Sequence, residues 1–162
     1  MTRRYVLLII VLFLIIALIF FILTIQEAKA PLEQMNTVEL FFGNSKLDPQ
    51  ALDCTKVFPV LRQVSIINKE QVVLESLLIG PTDDEKEQGY FTSINQGVVI
   101  QNFIIEQCVV RVDFNQQLEY QVGGSCRVTN IRQQIISTLQ QFPELKQVII
   151  SIDGRTEDIL QP

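Results

Sequence analysis

Val98-Val99-Ile100-Gln101-Asn102-Phe103-Ile104-Ile105-Glu106 is followed by Gln107-Cys108 and then by Val109-Val110-Arg111-Val112-Asp113-Phe114. Two runs rich in β-branched residues, parted by two positions, predict a pair of strands joined by a tight hairpin. The turn is chemically poor, because a two-residue hairpin favours Gly at its second position and this chain carries Cys108 there. On either side of the hairpin the apolar period changes. Upstream, Lys69 to Ile79 places Val73/Leu77 and Leu74/Leu78 four apart, a helix with one apolar side, and Gly80-Pro81 stops it. Downstream, Gly123-Gly124 breaks the chain before a helix from Ser125 to Phe142, whose stripe of Val128, Ile131, Ile135, Leu139 and Phe142 covers one face; Pro143 ends it.

Three further strands complete the pattern. Thr37 to Phe42 is bounded by Gly43-Asn44, and Val57 to Ile67 carries Pro59 near its start, where an edge strand tolerates a missing amide. Lys146 to Ile152 is closed by Asp153-Gly154. Ser45 to Lys56 reads as a loop, and Thr82 to Gln88 as an acidic turn region with a solvated helix start. The order is strand, strand, helix, strand, strand, helix, strand. That order predicts an α+β domain of two layers, with a small mixed sheet covered by two helices.

Val6 to Ile25 is a run of twenty residues without charge, Gly or Pro. Such a run as a helix rises about 30 Å, the thickness of a bilayer hydrocarbon core. Arg3 and Arg4 precede it, so the positive-inside bias predicts a cytoplasmic N-terminus and an extracytoplasmic C-terminal domain. The competing reading is a leader cleaved after Ala28-Lys29-Ala30, but the apolar run exceeds the usual length of a secretory core, about 7 to 15 residues. The expected organisation is a cytoplasmic N-terminus (1–5), a transmembrane helix (6–25), a stalk (26–36), one domain (37–155) and a C-terminal tail (156–162).

Composition narrows the chemistry. The formal net charge is −5, and three of the 13 basic residues, Arg3, Arg4 and Lys29, precede residue 31, so the remainder is more acidic still. An acidic surface is a poor match for phosphate backbones, which excludes nucleic acid as a partner. The sequence has no His and no Trp. Cys54 and Cys126 lie in polar, loop-like surroundings, whereas Cys108 falls between two strands. A Cys54–Cys126 disulfide is therefore expected, with three unpaired small residues as the alternative.

Several words of the sequence arrive together and in order: Pro59-Val60-Leu61-Arg62, Leu77-Leu78-Ile79-Gly80-Pro81, Gly89-Tyr90-Phe91-Thr92-Ser93-Ile94 with Gly97, Val112-Asp113-Phe114, Thr138-Leu139 with Phe142-Pro143, and Val148-Ile149-Ile150-Ser151-Ile152-Asp153-Gly154. Over Thr37 to Arg155 the chain resembles the GerMN domain of sporulation and spore-germination proteins. The resemblance implies an envelope protein, anchored by a lipid or a helix, whose domain is similar to the ring-building fold and makes protein contacts without catalysis. Two positions depart from the pattern: Asn95 stands where the family often has Pro, and Cys108 where it usually has Gly.

Residues that could carry chemistry have plainer explanations. Without His, a Ser or Cys nucleophile lacks its usual base. Asp113 and Asp153 form the tempting carboxylate pair for glycoside hydrolysis, yet both end strands, where Asp ordinarily shapes a turn. Cysteines 54 and 18 positions apart offer no short Cys-x-x-Cys step for zinc. Asp83-Asp84-Glu85 with Glu87 lacks the spacing and central Gly of a calcium loop. Gly123-Gly124-Ser125 before a helix is an anion site in form, but two glycines in a turn and a capping Ser125 account for it. Arg62, Arg127 and Asp113 are the candidate interaction residues, with internal ion pairs as the alternative.

The expectation is thus a non-enzymatic interaction or assembly module without metal or cofactor, anchored in the cell membrane. Its expected partners are an envelope protein or a second copy of itself. The alternative is an envelope protein that binds or cleaves peptidoglycan through carboxylates.

Overall fold

In the computed structural model, which describes residues 4–5, 12–21, 35–65 and 67–161, the chain divides into two units, Met1–Gln34 and Met35–Pro162. In the first, the described residues 4–5 and 12–21 are helical. The expected spanning helix and the single-pass membrane location built on it are corrected here. Among the described residues no helix is long and apolar enough to cross a membrane. The described helical residues 12–21 account for a rise of about 15 Å, half of a hydrocarbon core. Residues 6–11 and 22–25 of the expected span, and 26–34 of the expected stalk, lie outside the described residues.

The second unit begins with strand β1 (Met35–Asn44), whose alternation buries Val38, Leu40 and Phe42. Strand β2 (Phe58–Ser65) pairs antiparallel along β1, with Thr37 opposite Gln63 and Phe41 opposite Pro59. It is an edge strand, as Pro59 requires. Helix α1 (Lys69–Ile79) buries Val73, Leu74 and Leu77. The acidic segment after it is a one-turn helix, α2 (Asp83–Glu87), begun by a reciprocal capping box between Thr82 and Glu85. Strand β3 (Tyr90–Phe91) pairs only with Gly43 and Asn44 at the end of β1. A Cβ at Gly43 would collide with the Phe91 ring that lies over it.

Strands β4 (Ile100–Glu106) and β5 (Val109–Phe114) form the expected hairpin, and β6 (Gln147–Ile152) lies parallel to β5. A parallel return needs a crossover, which helix α3 (Ser125–Gln140) supplies. Its start is set by Gly124, which holds a φ of 86° that a side chain would strain; Ser125, expected to cap, makes no capping hydrogen bond. Val128, Ile131, Ile135 and Leu139 are all buried, as the stripe predicted, and Phe142 follows them into the core. Ile159 and Leu160 are buried as well, and the Arg132 guanidinium donates to the Ile159 carbonyl (2.9 Å).

The single mixed sheet expected from the sequence is corrected to two three-stranded sheets, ordered β2-β1-β3 and β4-β5-β6. The physical cause lies on α3 and on Gln141, which caps its C-terminus. Gln141 accepts from the Glu39 amide (2.8 Å) and donates to the Glu39 carbonyl (2.7 Å), while the Thr138 hydroxyl oxygen accepts from the Phe41 amide (3.1 Å). Side chains of a helix thereby occupy backbone groups that a neighbouring strand would have used. β1 is closed along that edge, and the second sheet forms separately.

Candidate functional site

A cavity of about 320 Å³ lies where the end of β1, the loop from Ser45 to Val57, Phe91 and the start of α3 meet. Its wall is covalent: Cys54 in the loop is bonded to Cys126 in the first turn of α3, with Cα atoms 5.0 Å apart and 72 residues between them in sequence. This is the pairing expected from the two loop-like cysteine surroundings. Cys108, the free cysteine, is exposed at the hairpin tip.

Around the cavity, buried amides tie the loop down. Asn130 donates to the carbonyls of Cys54 (3.3 Å) and Lys56 (3.4 Å), and its oxygen accepts from Ser93 (2.9 Å) and Gln134 (2.7 Å). Gln134 in turn accepts from the Thr92 hydroxyl (2.9 Å). The Asn44 oxygen accepts from the amides of Lys46 (2.9 Å) and Leu47 (3.0 Å), which turns the chain at the end of β1. Asp53 accepts from the Thr55 hydroxyl (2.6 Å) and amide (2.9 Å), and these two bonds, aided by the Lys56 charge, hold its carboxyl below the ordinary range.

Arg127 borders the same cavity and spends its donors on the chain itself. Nε donates to the Ser93 carbonyl (3.4 Å), Nη1 to the Gln121 carbonyl (3.3 Å) and Nη2 to the Asn95 oxygen (2.7 Å). Asn95, one of the two departures from the family pattern, donates to the carbonyls of Gln117 and Tyr120, both at 2.8 Å. An amide at that position therefore joins the loop before β4 to the loop before α3.

The other flagged residues lie elsewhere. Arg62 on β2 pairs with Glu85 at 2.6 Å, so the same carboxylate that caps α2 also ties α2 to the first sheet. Asp113 near the end of β5 accepts from the Ser151 hydroxyl (2.6 Å) and the Gly154 amide (2.9 Å). Asp153 accepts from Gln101 (3.1 Å). The fold brings Cys54, Cys126 and Arg127 to the cavity, and it sets Asp113 beside the Asp153-Gly154 turn, whose Asp153 amide donates to the Phe114 carbonyl. Asn44, Ser93 and Asn130 also line the cavity and escaped sequence reasoning. Asn130, Gln134, Thr138 and Gln141 repeat at steps of four, four and three beside the apolar stripe of α3, which is the signal that marks them.

Chemically, this wall is a set of satisfied bonds. Among the described residues no buried side-chain polar atom lacks a partner, and no group of three acidic or cysteine side chains converges as a metal site would. The Ser93 hydroxyl donates to an amide oxygen, which is no base.

A two-sheet α+β domain pinned by one helix defines a structural class, and the sequence places the chain within a family of that class. It belongs to the Germane family, described as sporulation and spore germination, whose model matches residues 39–158. Among solved structures, it is similar to the tandem GerMN domains of the sporulation protein GerM from Bacillus subtilis, with 18% identity, a TM-score of 0.57, and coverage of 78% of this chain and 42% of that one. It is also similar to the first GerMN domain of the same protein, with 15% identity, a TM-score of 0.52, and coverage of 75% and 85%. The chain thus spans less than half of the tandem-domain chain. Comparison with curated proteins gives no match.

Proposed function

We propose that this chain acts as a non-enzymatic protein-interaction module within sporulation or spore-germination assemblies. The observation that carries the reading is a set of large apolar side chains left on the surface of a fully bonded domain: Leu61 is 66% exposed, Ile79 86% and Val99 55%, with Ile104 and Ile105 also exposed. Ile79 and Val99 border one shallow cavity between α1 and β4, together with Leu78 and Ile100. Contiguous apolar surface of this kind marks protein contacts. The cavity beside Cys54 and Cys126, around which no buried side-chain polar atom of the described residues lacks a partner, supports the same reading.

In-cell photo-crosslinking from Leu61, Ile79 and Val99 tests it. Specific protein adducts from at least one of these positions are expected, and adducts from none would overturn the module. Incubation of the full chain with peptidoglycan tests the other half of the statement. Release of wall fragments that Asp113→Asn abolishes would refute the non-enzymatic reading.

A further inference from the structure

The strand edges of this domain are treated unequally. β1 is closed by α3, as described. The outer edge strand of the first sheet, β2, carries Pro59 and the ion-paired Arg62, and the end of β6 is met by a bridge from Arg155 to Ile152. β4 has no such protection. From Gln101 to Ile105 it holds neither charge nor Pro, no described strand pairs with its outer side, and Ile104 and Ile105 are 38% and 42% exposed. An uncharged apolar edge is a template for another strand.

The hairpin turn fixes which backbone groups are free. Glu106 and Val109 flank a two-residue loop and form the hydrogen-bonded pair that closes it, so pairs alternate from there: Ile104 with Arg111 is bonded, while Ile105 with Val110 and Phe103 with Val112 are not. The amides and carbonyls of Phe103 and Ile105 therefore point outward. A second strand must bond to these two residues.

We propose that β4 pairs antiparallel with β4 of a second copy of this chain, about a two-fold axis through Ile104. Symmetric pairing that uses the outward groups allows only a few registers. Centred on Phe103, it sets Gln101 against Ile105 and Asn102 against Ile104. Centred on Ile105, it sets Ile104 against Glu106. Centred on Ile104, it sets Phe103 against Ile105 on one face, Ile104 against its own mate on the other, and Asn102 against Glu106 beyond. Only this last register matches all three of Phe103, Ile104 and Ile105 with apolar partners. It also places the single charge of the strand opposite an amide that can donate to it, which keeps like charges apart across the axis of an acidic chain. The β4-β5-β6 sheets of the two copies then become one sheet of six strands. This inference rests on the interaction-module reading and names the surface and the partner.

The test uses the full chain in a Cys108→Ser background. In the proposed register the Ile104 mates form a non-bonded pair, whose Cβ atoms approach to about 4.5 Å, within reach of a disulfide. Ile104→Cys is expected to give a linked dimer in a glutathione redox buffer, whereas Asn102→Cys alone is not. Asn102→Cys mixed with Glu106→Cys is expected to give a linked heterodimer. Linkage of Ile104→Cys no greater than that of Asn102→Cys would overturn the register. Sedimentation of the unmodified chain should show dimers that Ile105→Lys weakens about tenfold or more, with its melting curve retained. A monomer at every concentration up to about 100 μM, the range of weak edge contacts, would overturn the dimer. In cells, a photo-crosslinker at Ile104 that traps another protein but never a second copy would overturn this inference and leave the module standing; no adduct from any surface position would overturn both.

Discussion

Replacing Cys108 with Gly should stabilise the domain. Gln107 and Cys108 form the β4–β5 turn with φ of 49° and 66°, both in the left-handed region that the primed hairpin turn demands. An L-residue held there costs about 1 to 2 kcal/mol, which Gly does not incur. Against that stands the greater freedom of Gly in the unfolded chain, about 0.5 to 1 kcal/mol. The Cys108 side chain is exposed, so its removal sacrifices little packing. What the residue contributes to the fold is its carbonyl, which accepts from the Lys146 amide at 2.7 Å and survives the substitution. The net gain is about 0.5 to 1 kcal/mol. For a unit of this size that corresponds to a rise in Tm of about 2 to 4 °C. The proper comparison is Cys108→Ala, which also removes the thiol but keeps the strained φ. Thermal melts followed by circular dichroism should rank the glycine variant above the alanine one. Equal midpoints, or a lower one for glycine, would refute the argument that the turn is strained.

Thr138→Val keeps the shape of a fully buried side chain but strips the Phe41 amide of its acceptor, which should cost about 1 to 3 kcal/mol in urea unfolding; an unchanged midpoint would show that α3 does not hold β1. Loss of the disulfide in Cys54→Ser/Cys126→Ser frees a 72-residue loop and should cost about 4 kcal/mol in guanidinium titrations, a loss that reductant reproduces in the parent chain. The pH profile has two flanks. Asp53, Asp83 and Glu144 sit below their ordinary values, chiefly through bonds from Thr55, from Lys86 and from the Glu144 backbone amide respectively, so their contribution is present above the ordinary carboxylate range and lost as pH falls through the lowered values. Lys69 is raised, first by its hydrogen bond to Glu144, so its contribution is present below the ordinary lysine range and lost as pH rises past the raised value. Stability should therefore be flat between about pH 5 and pH 10, and Glu144→Gln should blunt both flanks; an unaltered profile would exclude the pair as its source.

Local features were legible wherever one pattern settled one element. The stripe of Val128, Ile131, Ile135 and Leu139 defines the face α3 buries, and the two β-branched runs around Gln107-Cys108 define the hairpin, because period and burial are directly coupled. The disulfide was legible because only two cysteines lie in loops. The split into two sheets was not, since it depends on Thr138 and Gln141 reaching backbone groups of Glu39 and Phe41, about a hundred residues earlier. Polar residues on a helix read as solvent-facing until the tertiary partner is known. The N-terminal run was read from composition alone: apolar residues from Val6 to Ile25 speak to solubility in lipid, whereas spanning requires a long continuous helix, and among the described residues none is long and apolar enough. Asn130 at the cavity, and Asn95 behind Arg127, act through carbonyls of loops whose positions no periodicity encodes.

α3 is the element on which these observations converge. Its apolar face fills the core, its polar face closes β1, and its first turn holds the Ser45–Val57 loop through both Cys126 and Asn130. A single helix thereby consumes the backbone valences of one sheet and covers the loop beside it, which leaves the second sheet to finish its own edges. On β6 the Arg155 bridge meets the last residue, Ile152, and on the outer side of β4 no described strand meets any. Ile104 and Ile105 cannot owe their place to the core, because both are substantially exposed and the buried members of the hairpin, Val110, Val112 and Phe114, all lie on β5. Folding would be served as well by Lys or Thr at those two sites, which would also guard the edge against stray pairing. Apolar side chains kept where the fold gains least from them, beside a strand edge without charge or Pro from Gln101 to Ile105, are accounted for when that edge is a contact surface.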